Sequence, residues 1–325
     1  MNSAKINIIN NLCSSKVILW FTAHYQRYSR DWDLIKKYGN PYHPLWGYYK
    51  SDDPEILDKQ IKAIKRMGTD VIAYDMFASY EWTPKDISKD KVLPVLSKLL
   101  NNQKDNKRKL KYCIIFENYV GYQTFEELSY SISYAYKNLM NSECYFKSKG
   151  KPFVLIFYDE KNWEVIKKLQ KEYRDIEIRQ IAWSWKGSEG WLYVEDYPQT
   201  LRKDWMPVSP GFDSSLEEVY QRDMVIKTKD TDPEIYGLFK RWVEDPNKST
   251  EDIMKNPLFK TLRENGKFYR NQLLRAVKNN PEYIFISGWN DWQYRNQIEP
   301  AVEYGFKYVD MTAEILNRKD QIDIL

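Results

Sequence analysis

The chain has 325 residues, with 50 basic and 46 acidic side chains and a net charge of +4. Without a concentrated basic face, this balance argues against a nucleic-acid partner, and no apolar run approaches the roughly 18 residues of a membrane-spanning helix. Three scattered cysteines and two histidines predict neither a disulfide framework nor a metal site.

Eight short apolar runs alternate with longer amphipathic segments along the chain. The runs are predicted as strands at residues 17–22, 71–76, 112–117, 153–158, 176–183, 191–196, 205–210 and 283–289. Their continuity is typical of strands buried on both faces of a parallel sheet. Helices are predicted at residues 52–68, 160–173 and 266–281, the first with Pro54 near its start and Gly68 at its end.

This alternation predicts an α/β fold, a single (β/α)8 barrel of TIM type over residues 1–325 with a loop-rich insertion around residues 211–266. An open doubly wound sheet is the alternative. No GxGxxG or GxxxxGK[ST] loop follows a predicted strand, so no nucleotide cofactor is expected. Residues 1–16 lack the pattern of an export signal. The predicted location is therefore cytoplasmic, or secreted if a leader precedes this sequence.

In such a barrel the chemistry gathers at the carboxyl ends of the strands. The residues at those ends are mostly carboxylates and aromatics: His24, Asp75, Glu117, Tyr158 with Asp159, Trp183 with Trp185, Asp196, Asp213, and Asn290 with Asp291. Each acid alone can equally be a helix cap. Together, acids and flat aromatic rings fit glycoside chemistry, in which one carboxyl group protonates a leaving oxygen and another assists attack.

Four segments resemble glycoside hydrolase family 99 and the related family 71/99-like proteins, including a branch found in polysaccharide-biosynthesis clusters. "WNDWQYRNQIEP", residues 289–300, is similar to the family's "WNEW…QIEP" signature. Residues 44–77 (PLWGYYKSDDPEILDKQIKAIKRMGTDVIAYDMF), 151–159 (KPFVLIFYD) and 209–213 (SPGFD) follow the family's order. The resemblance spans residues 20 to 301.

The resemblance implies a (β/α)8 barrel and retaining, endo-acting cleavage of α-mannosidic linkages without a metal or organic cofactor. In that family one carboxylate deprotonates the sugar's own 2-hydroxyl, which closes an anhydro ring, and a second acid protonates the departing oxygen. The first of these carboxylates corresponds to Asp291, shorter by one methylene, and the second to Tyr294. Gln293 stands at a His-like position, and Arg295 replaces a glycine.

The first hypothesis is a hydrolase of α-linked, mannose-type glycans, whose partner is an oligosaccharide or polysaccharide. Asp291 is its base or an electrostatic stabiliser, and Glu117 supplies the acid function that the phenol of Tyr294, with an ordinary pKa near 10, performs poorly. The sugar-contact candidates are His24, Tyr49, Asp75, Tyr158, Trp185, Trp289, Asn290, Trp292, Gln297 and Glu299.

Two other classes stay open. The chain can be a non-hydrolytic glycan-binding protein, or a glycosyltransferase of polysaccharide biosynthesis, that keeps the barrel without the standard catalytic pair. A transferase needs a sugar-nucleotide site, yet no Asp-x-Asp follows a predicted strand. The "DWD" at residues 31–33 falls in a predicted loop. A structural or protein-interaction module is the third class. No oligomeric state is predicted.

Overall fold

The structure is a computed structural model. It describes residues 13–22, 29–77, 87–103, 109–117, 124–157, 163–181, 195–196, 200–201, 204–240, 243–255 and 260–317. Five residues singled out from the sequence lie outside this part of the chain: His24, Tyr158, Asp159, Trp183 and Trp185.

The described strands and helices alternate for most of the chain. The strands are β1 (Lys16–Thr22), β2 (Val71–Phe77), β3 (Lys111–Glu117), β4 (Lys147–Ser148), β5 (Lys151–Phe157), β6 (Glu177–Ile181), β7 (Glu195–Asp196), β8 (Thr200–Leu201), β9 (Trp205–Val208), β10 (Phe212–Asp213), β11 (Lys260–Thr261) and β12 (Tyr283–Ile286). The helices are α1 (Ser29–Tyr38), α2 (Pro54–Met67), α3 (Val92–Asn101), α4 (Phe125–Asn138), α5 (Trp163–Glu172), α6 (Ser215–Thr228), α7 (Pro233–Lys240), α8 (Thr250–Lys255), α9 (Lys267–Asn279) and α10 (Lys307–Ile315).

Seven strands form one parallel sheet in the order β6-β5-β3-β2-β1-β12-β9. Strand β4 adds an antiparallel pairing at the start of β5. Seven of the predicted strands are confirmed in this sheet. The predicted strand at 191–196 lies mostly outside the described residues, and its last two residues, in β7, pair antiparallel with β8 instead. The fold is thus mixed α/β with a parallel-dominant sheet.

The sheet is buried on both faces. Along β1, Val17, Leu19 and Phe21 belong to the core between the strands and the outer helices. Ile18 and Trp20 alternate with them and belong to a second core, on the inner face of the sheet. Burial on both sides explains why each strand is a continuous apolar run.

The sheet curls until residues of its two edges meet. The edge strands are β6 and β9. Arg179 of β6 donates from Nη1 to Asp204, next to β9, at 3.0 Å. The rings of Phe153 in β5 and Trp205 in β9 stack with centroids 5.9 Å apart. The carboxyl ends of seven parallel strands therefore face one common side of a curled sheet.

Helix α2 begins and ends where the sequence predicts. The Asp53 side chain accepts from the backbone N–H of Glu55 at 2.9 Å, and Pro54 occupies the first turn. Gly68 ends the helix with a φ of 85°, a conformation that glycine adopts without strain. One face of α2 packs into the core and includes a polar residue, Gln60, at 1% exposure.

The helices bear on two further stretches of the chain. The triplet at residues 31–33 lies within α1, so its prediction as a loop is wrong, and Trp32 is buried. Residues 211–266 contain the short pair β10–β11 and the helices α6, α7 and α8.

In the described part of the chain, no helix combines the length and apolar character needed to cross a membrane.

Candidate active site

The segment after β12, residues 288–299, folds into a closed loop that we call the motif loop. The backbone N–H of Ile298 donates to the carbonyl of Gly288 at 2.9 Å. Gly288 has a φ of 97°, and a Cβ there would lie 1.9 Å from the carbonyl oxygen of Asn296. Only glycine fits this close approach, which ends β12 at Ile286, three residues before the predicted end.

Asn290 attaches the motif loop to the end of β1. Its Oδ1 accepts from the backbone N–H of Thr22 at 2.9 Å, and its Nδ2 donates to the carbonyl of Thr22 at 2.8 Å. The same Nδ2 reaches the hydroxyl of Tyr49 at 3.2 Å. One fully buried amide thus satisfies both peptide groups of Thr22, as a neighbouring strand would.

Glu299 is a fully buried carboxylate at the other end of the motif loop. It accepts hydrogen bonds from Tyr49 Oη at 2.7 Å, Gln60 Nε2 at 2.7 Å and Trp292 Nε1 at 2.6 Å. Burial raises the pKa of Glu299 to about 7, although these three donors favour the charged form. The carboxylate therefore joins α2, the segment before α2 and the motif loop.

The two tryptophans of the motif loop lie inside the protein. Trp289 and Trp292 both have 0% exposure. Trp289 packs in the core between the strands and helices, and Trp292 packs with Trp32 and Tyr49. Stacking on a sugar needs an open ring face, which neither indole offers here. We therefore assign both to holding the loop, a correction to the expectation of sugar platforms.

Asp291 lies between these buried residues and is itself half-buried. Its carbonyl accepts from the backbone N–H of Asn296 at 3.0 Å, which closes a tight turn. Asn290 and Trp292, on either side, are fully buried. The turn therefore holds the backbone of Asp291 rigidly while part of the residue stays in contact with solvent.

Strand β10 packs against the turn of the motif loop. The backbone N–H of Asp213 donates to the carbonyl of Tyr294 at 2.9 Å. Arg295, at a φ of 50°, donates from Nη1 to Asp213 Oδ2 at 2.6 Å. The ring of Tyr294 stacks on Phe212, with centroids 5.0 Å apart and planes at 18°. Thus Tyr294 and Arg295, both departures from the family's pattern, each contact this segment.

The first turn of α6 brings a further carboxylate to the motif loop. Glu217, at 7% exposure, accepts a hydrogen bond at Oε2 from Gln293 Nε2. Its Oε1 accepts from Gln221 Nε2 at 2.9 Å. Gln293 lies two positions after Asp291, so Glu217 belongs to the surroundings of the candidate base.

Two candidate acids lie on the central strands. Asp75, in β2, is 3% exposed and accepts from Trp20 Nε1 at 3.0 Å. Glu117 is the last residue of β3, and the register sets its backbone beside Phe77 and Phe157. Both positions lie toward the carboxyl ends of parallel strands, the same side of the sheet as the motif loop.

Gln297 was predicted to contact sugar, and it is a fully buried residue of the motif loop. Tyr49, Asn290 and Glu299, predicted in the same role, are also buried. The structure brings these four residues together around the motif loop, as part of its support. Among the predicted site residues with described side chains, Asp291 and Tyr294 keep partial exposure.

Sequence reasoning missed three partners of the motif loop: Gln60, Phe212 and Glu217. Gln60 could have been found from the sequence. It lies on the apolar stripe of α2, four residues from Ile56 and from Ile64, and a buried glutamine needs a hydrogen-bond partner. Glu217 looks like an ordinary acidic residue in a helix's first turn. Phe212 has no distinguishing pattern.

The arrangement offers carboxyl groups and aromatic rings at the carboxyl side of the sheet. Carboxyl groups can exchange protons with sugar hydroxyls and glycosidic oxygens. Within the described residues, no group of three or more His, Cys, Asp and Glu side chains is arranged to hold a metal ion.

Comparisons with known proteins bear on the fold. No protein-family model matches the chain, and no curated protein matches it. Among solved structures, the GH99 endo-alpha-mannosidase from Bacteroides thetaiotaomicron is similar with a TM-score of 0.62 and 16% identity, over 96% of this chain and 99% of that one.

Two further solved structures are similar. The GH99 endo-alpha-mannosidase in complex with bis-tris propane gives a TM-score of 0.58 and 17% identity, over 96% of this chain and 99% of that one. A glycoside hydrolase-like protein gives 0.58 and 15%, over 97% of each chain. At these identities the likeness shows the fold alone. The chain has a GH99-like fold.

Proposed function

We propose that this protein is a glycoside hydrolase that cleaves α-linked, mannose-type glycans, endo-acting and with retention. The observation that carries the proposal is Asp291, a half-buried acidic residue at the carboxyl side of the parallel sheet. It sits in a loop whose neighbouring residues are fixed by buried hydrogen bonds. The GH99-like fold, shared over 96% of the chain with an endo-alpha-mannosidase, supports the reaction class.

Roles for the individual residues follow from this proposal. Asp291 accepts a proton from the sugar, and Glu117 protonates the departing oxygen as the glycosidic bond breaks. Asp75 contacts the sugar, as do His24, Tyr158 and Trp185. Six buried residues act without touching the sugar, by keeping Asp291 in position: Tyr49, Trp289, Asn290, Trp292, Gln297 and Glu299. No metal or organic cofactor takes part.

The architecture proposed for this function is one domain, a closed (β/α)8 barrel. The buried Arg179 supports closure, because it lies on one edge strand and pairs with Asp204 beside the other at 3.0 Å. A closed barrel gathers all strand ends around one mouth. Such a mouth lets Glu117 and Asp291, which follow different strands, act on one substrate.

A cleavage assay tests the proposal. Purified protein is incubated with a panel of α-linked manno- and gluco-oligosaccharides, and new reducing ends are detected by mass. We expect cleavage of a manno-oligosaccharide that Asp291→Asn abolishes. Exposed Asp58→Asn, on the outer surface of α2 and in an ion pair with Lys62, serves as the matched control and retains activity. Full turnover by Asp291→Asn would refute the assignment.

The second candidate function is glycan binding or glycan transfer without hydrolysis. The observation that favours it is Tyr294, whose ring is stacked on Phe212 where the resembled family has an acid. Calorimetric binding of an oligosaccharide that is never cleaved would favour a binding protein. Binding of a nucleotide-sugar would favour a transferase.

A further inference from the structure

The ring of Tyr294 has one supported face. It lies on Phe212, with centroids 5.0 Å apart and planes at 18°. Phe212 is buried at 3% exposure, while Tyr294 is half-buried. The stack therefore backs one face of the tyrosine ring from the protein side, in a residue that keeps partial exposure.

Backbone and ion-pair contacts hold this ring in place. The carbonyl of Tyr294 accepts from Asp213 at 2.9 Å. The next residue, Arg295, pairs with the same aspartate at 2.6 Å and donates to the carbonyl of Gly39 at 3.2 Å. A ring that is already ordered loses little conformational entropy when a ligand stacks on it.

The motif loop contains three aromatic residues, and one of them keeps partial exposure. Trp289 and Trp292 have no exposed surface, whereas Tyr294 has some. Tyr294 also lies three positions after the half-buried Asp291, within the turn that Asn296 closes onto Asp291. A flat ring and a carboxyl group carried by one turn suit a pyranose, which presents C–H groups on one face and hydroxyls at its rim.

We propose that Tyr294 is the aromatic platform of a sugar subsite beside Asp291, and that it binds a pyranose through ring stacking instead of donating a proton. The proposal rests on the proposed glycan function and holds for a hydrolase or a glycan-binding protein. The phenol oxygen is dispensable in this role, and the ring is essential.

Paired substitutions separate the ring from the hydroxyl. Binding of α-linked manno-oligosaccharides is measured by calorimetry in Asp291→Asn protein, which prevents cleavage, with Tyr294→Phe or Tyr294→Ala added. We expect Tyr294→Phe to keep affinity within about twofold and Tyr294→Ala to lose roughly tenfold. Turnover of the same glycans should fall further in Tyr294→Ala than in Tyr294→Phe. Tyr130→Ala removes an exposed tyrosine from α4, on the outside of the sheet, and serves as the matched control.

Three outcomes overturn the proposal, and they are distinguishable. Unchanged affinity in Tyr294→Ala excludes stacking, whereas loss of turnover with intact binding in Tyr294→Phe makes the hydroxyl the working group. In both cases the glycan function survives. If the wild-type protein neither binds nor cleaves any glycan of the panel, the proposed function and the subsite fall together. Thermal unfolding of each variant identifies a loss caused by misfolding, and Tyr294→Leu then repeats the test with an apolar side chain that lacks the flat ring.

Discussion

Trp292 donates a hydrogen bond of 2.6 Å from Nε1 to the carboxylate of Glu299, and neither side chain has exposed surface. The pair crosses the base of the motif loop. Both side chains are of types that often bind sugars, but here they belong to the protein interior. Their contribution to a substrate is indirect, because they hold the loop that carries Asp291 next to Trp292.

The buried carboxyl group of Glu299 predicts a pH-dependent stability. Its pKa is about 7 in the folded protein, because burial disfavours the charge, against an ordinary value of 4.5. The stabilisation that protonation provides is fully present below pH 4.5 and is lost as the pH rises through 7. Relative to Glu299→Gln, we expect the wild-type free energy of unfolding to fall by about 2–3 kcal/mol between pH 5 and pH 8. Urea unfolding of both proteins at the two pH values measures it. Parallel pH profiles would refute the assignment.

Removing the side chain of Asn290 should lower the free energy of unfolding strongly. Asn290→Ala leaves both peptide groups of Thr22 without this partner inside the protein, and we expect a cost of about 2–4 kcal/mol. Asn290→Asp should cost more, because a carboxylate cannot donate to the Thr22 carbonyl. Asn138, an exposed amide bonded to the carbonyl of Tyr134, is the control, with an expected change under about 0.5 kcal/mol. Similar urea midpoints for Asn290→Ala and Asn138→Ala would contradict this role.

The proposed closure of the barrel predicts energetic coupling between the two edge strands. Arg179→Met alone removes the cation between Glu177 and Asp204 and should destabilise by about 3 kcal/mol. Combined with Asp204→Asn, the loss should be smaller than the sum of the two single losses by at least about 1 kcal/mol. A double-mutant cycle in urea measures the difference. Simple additivity would mean that the ion pair does not join the edges in solution.

Leaving-group dependence distinguishes the two carboxyl groups available as the acid. Glu117→Gln should slow cleavage of the natural type of linkage by about a hundredfold or more, yet barely affect a dinitrophenyl glycoside of the same oligosaccharide. That leaving group departs without a proton. Glu217→Gln should lower both rates equally, because Glu217 acts through the position of Gln293. The reverse pattern in steady-state kinetics would assign the acid function to Glu217.

Much of the fold was predictable from the sequence, since strands buried on both faces must be continuously apolar. Residues 17–22 and 71–76 show this directly, and α2 carries its own signals in Asp53, Pro54 and Gly68. By contrast, α1 was missed, because its DWD triplet looks polar although Trp32 turns inward.

The site was less predictable, because a loop has no repeat that tells which side chains turn inward. Trp289 and Trp292 flank Asp291 symmetrically in sequence, and only their packing shows that both are buried. The partner of Glu299 on α2, Gln60, lies 239 positions away. No local pattern links positions so far apart. The residue types at the strand ends, by contrast, were enough to single out Asp291 as a candidate.

The central claim is that the chain hydrolyses glycans at Asp291, and cleavage in oxygen-18 water tests it most directly. A manno-oligosaccharide from the panel is incubated in labelled water, and the products are analysed by mass. We predict one heavy oxygen at each new reducing end, and no labelled product from Asp291→Asn. Unlabelled products would indicate transfer to another sugar, and equal labelling by the variant, or an intact glycan that remains bound, would contradict the claim.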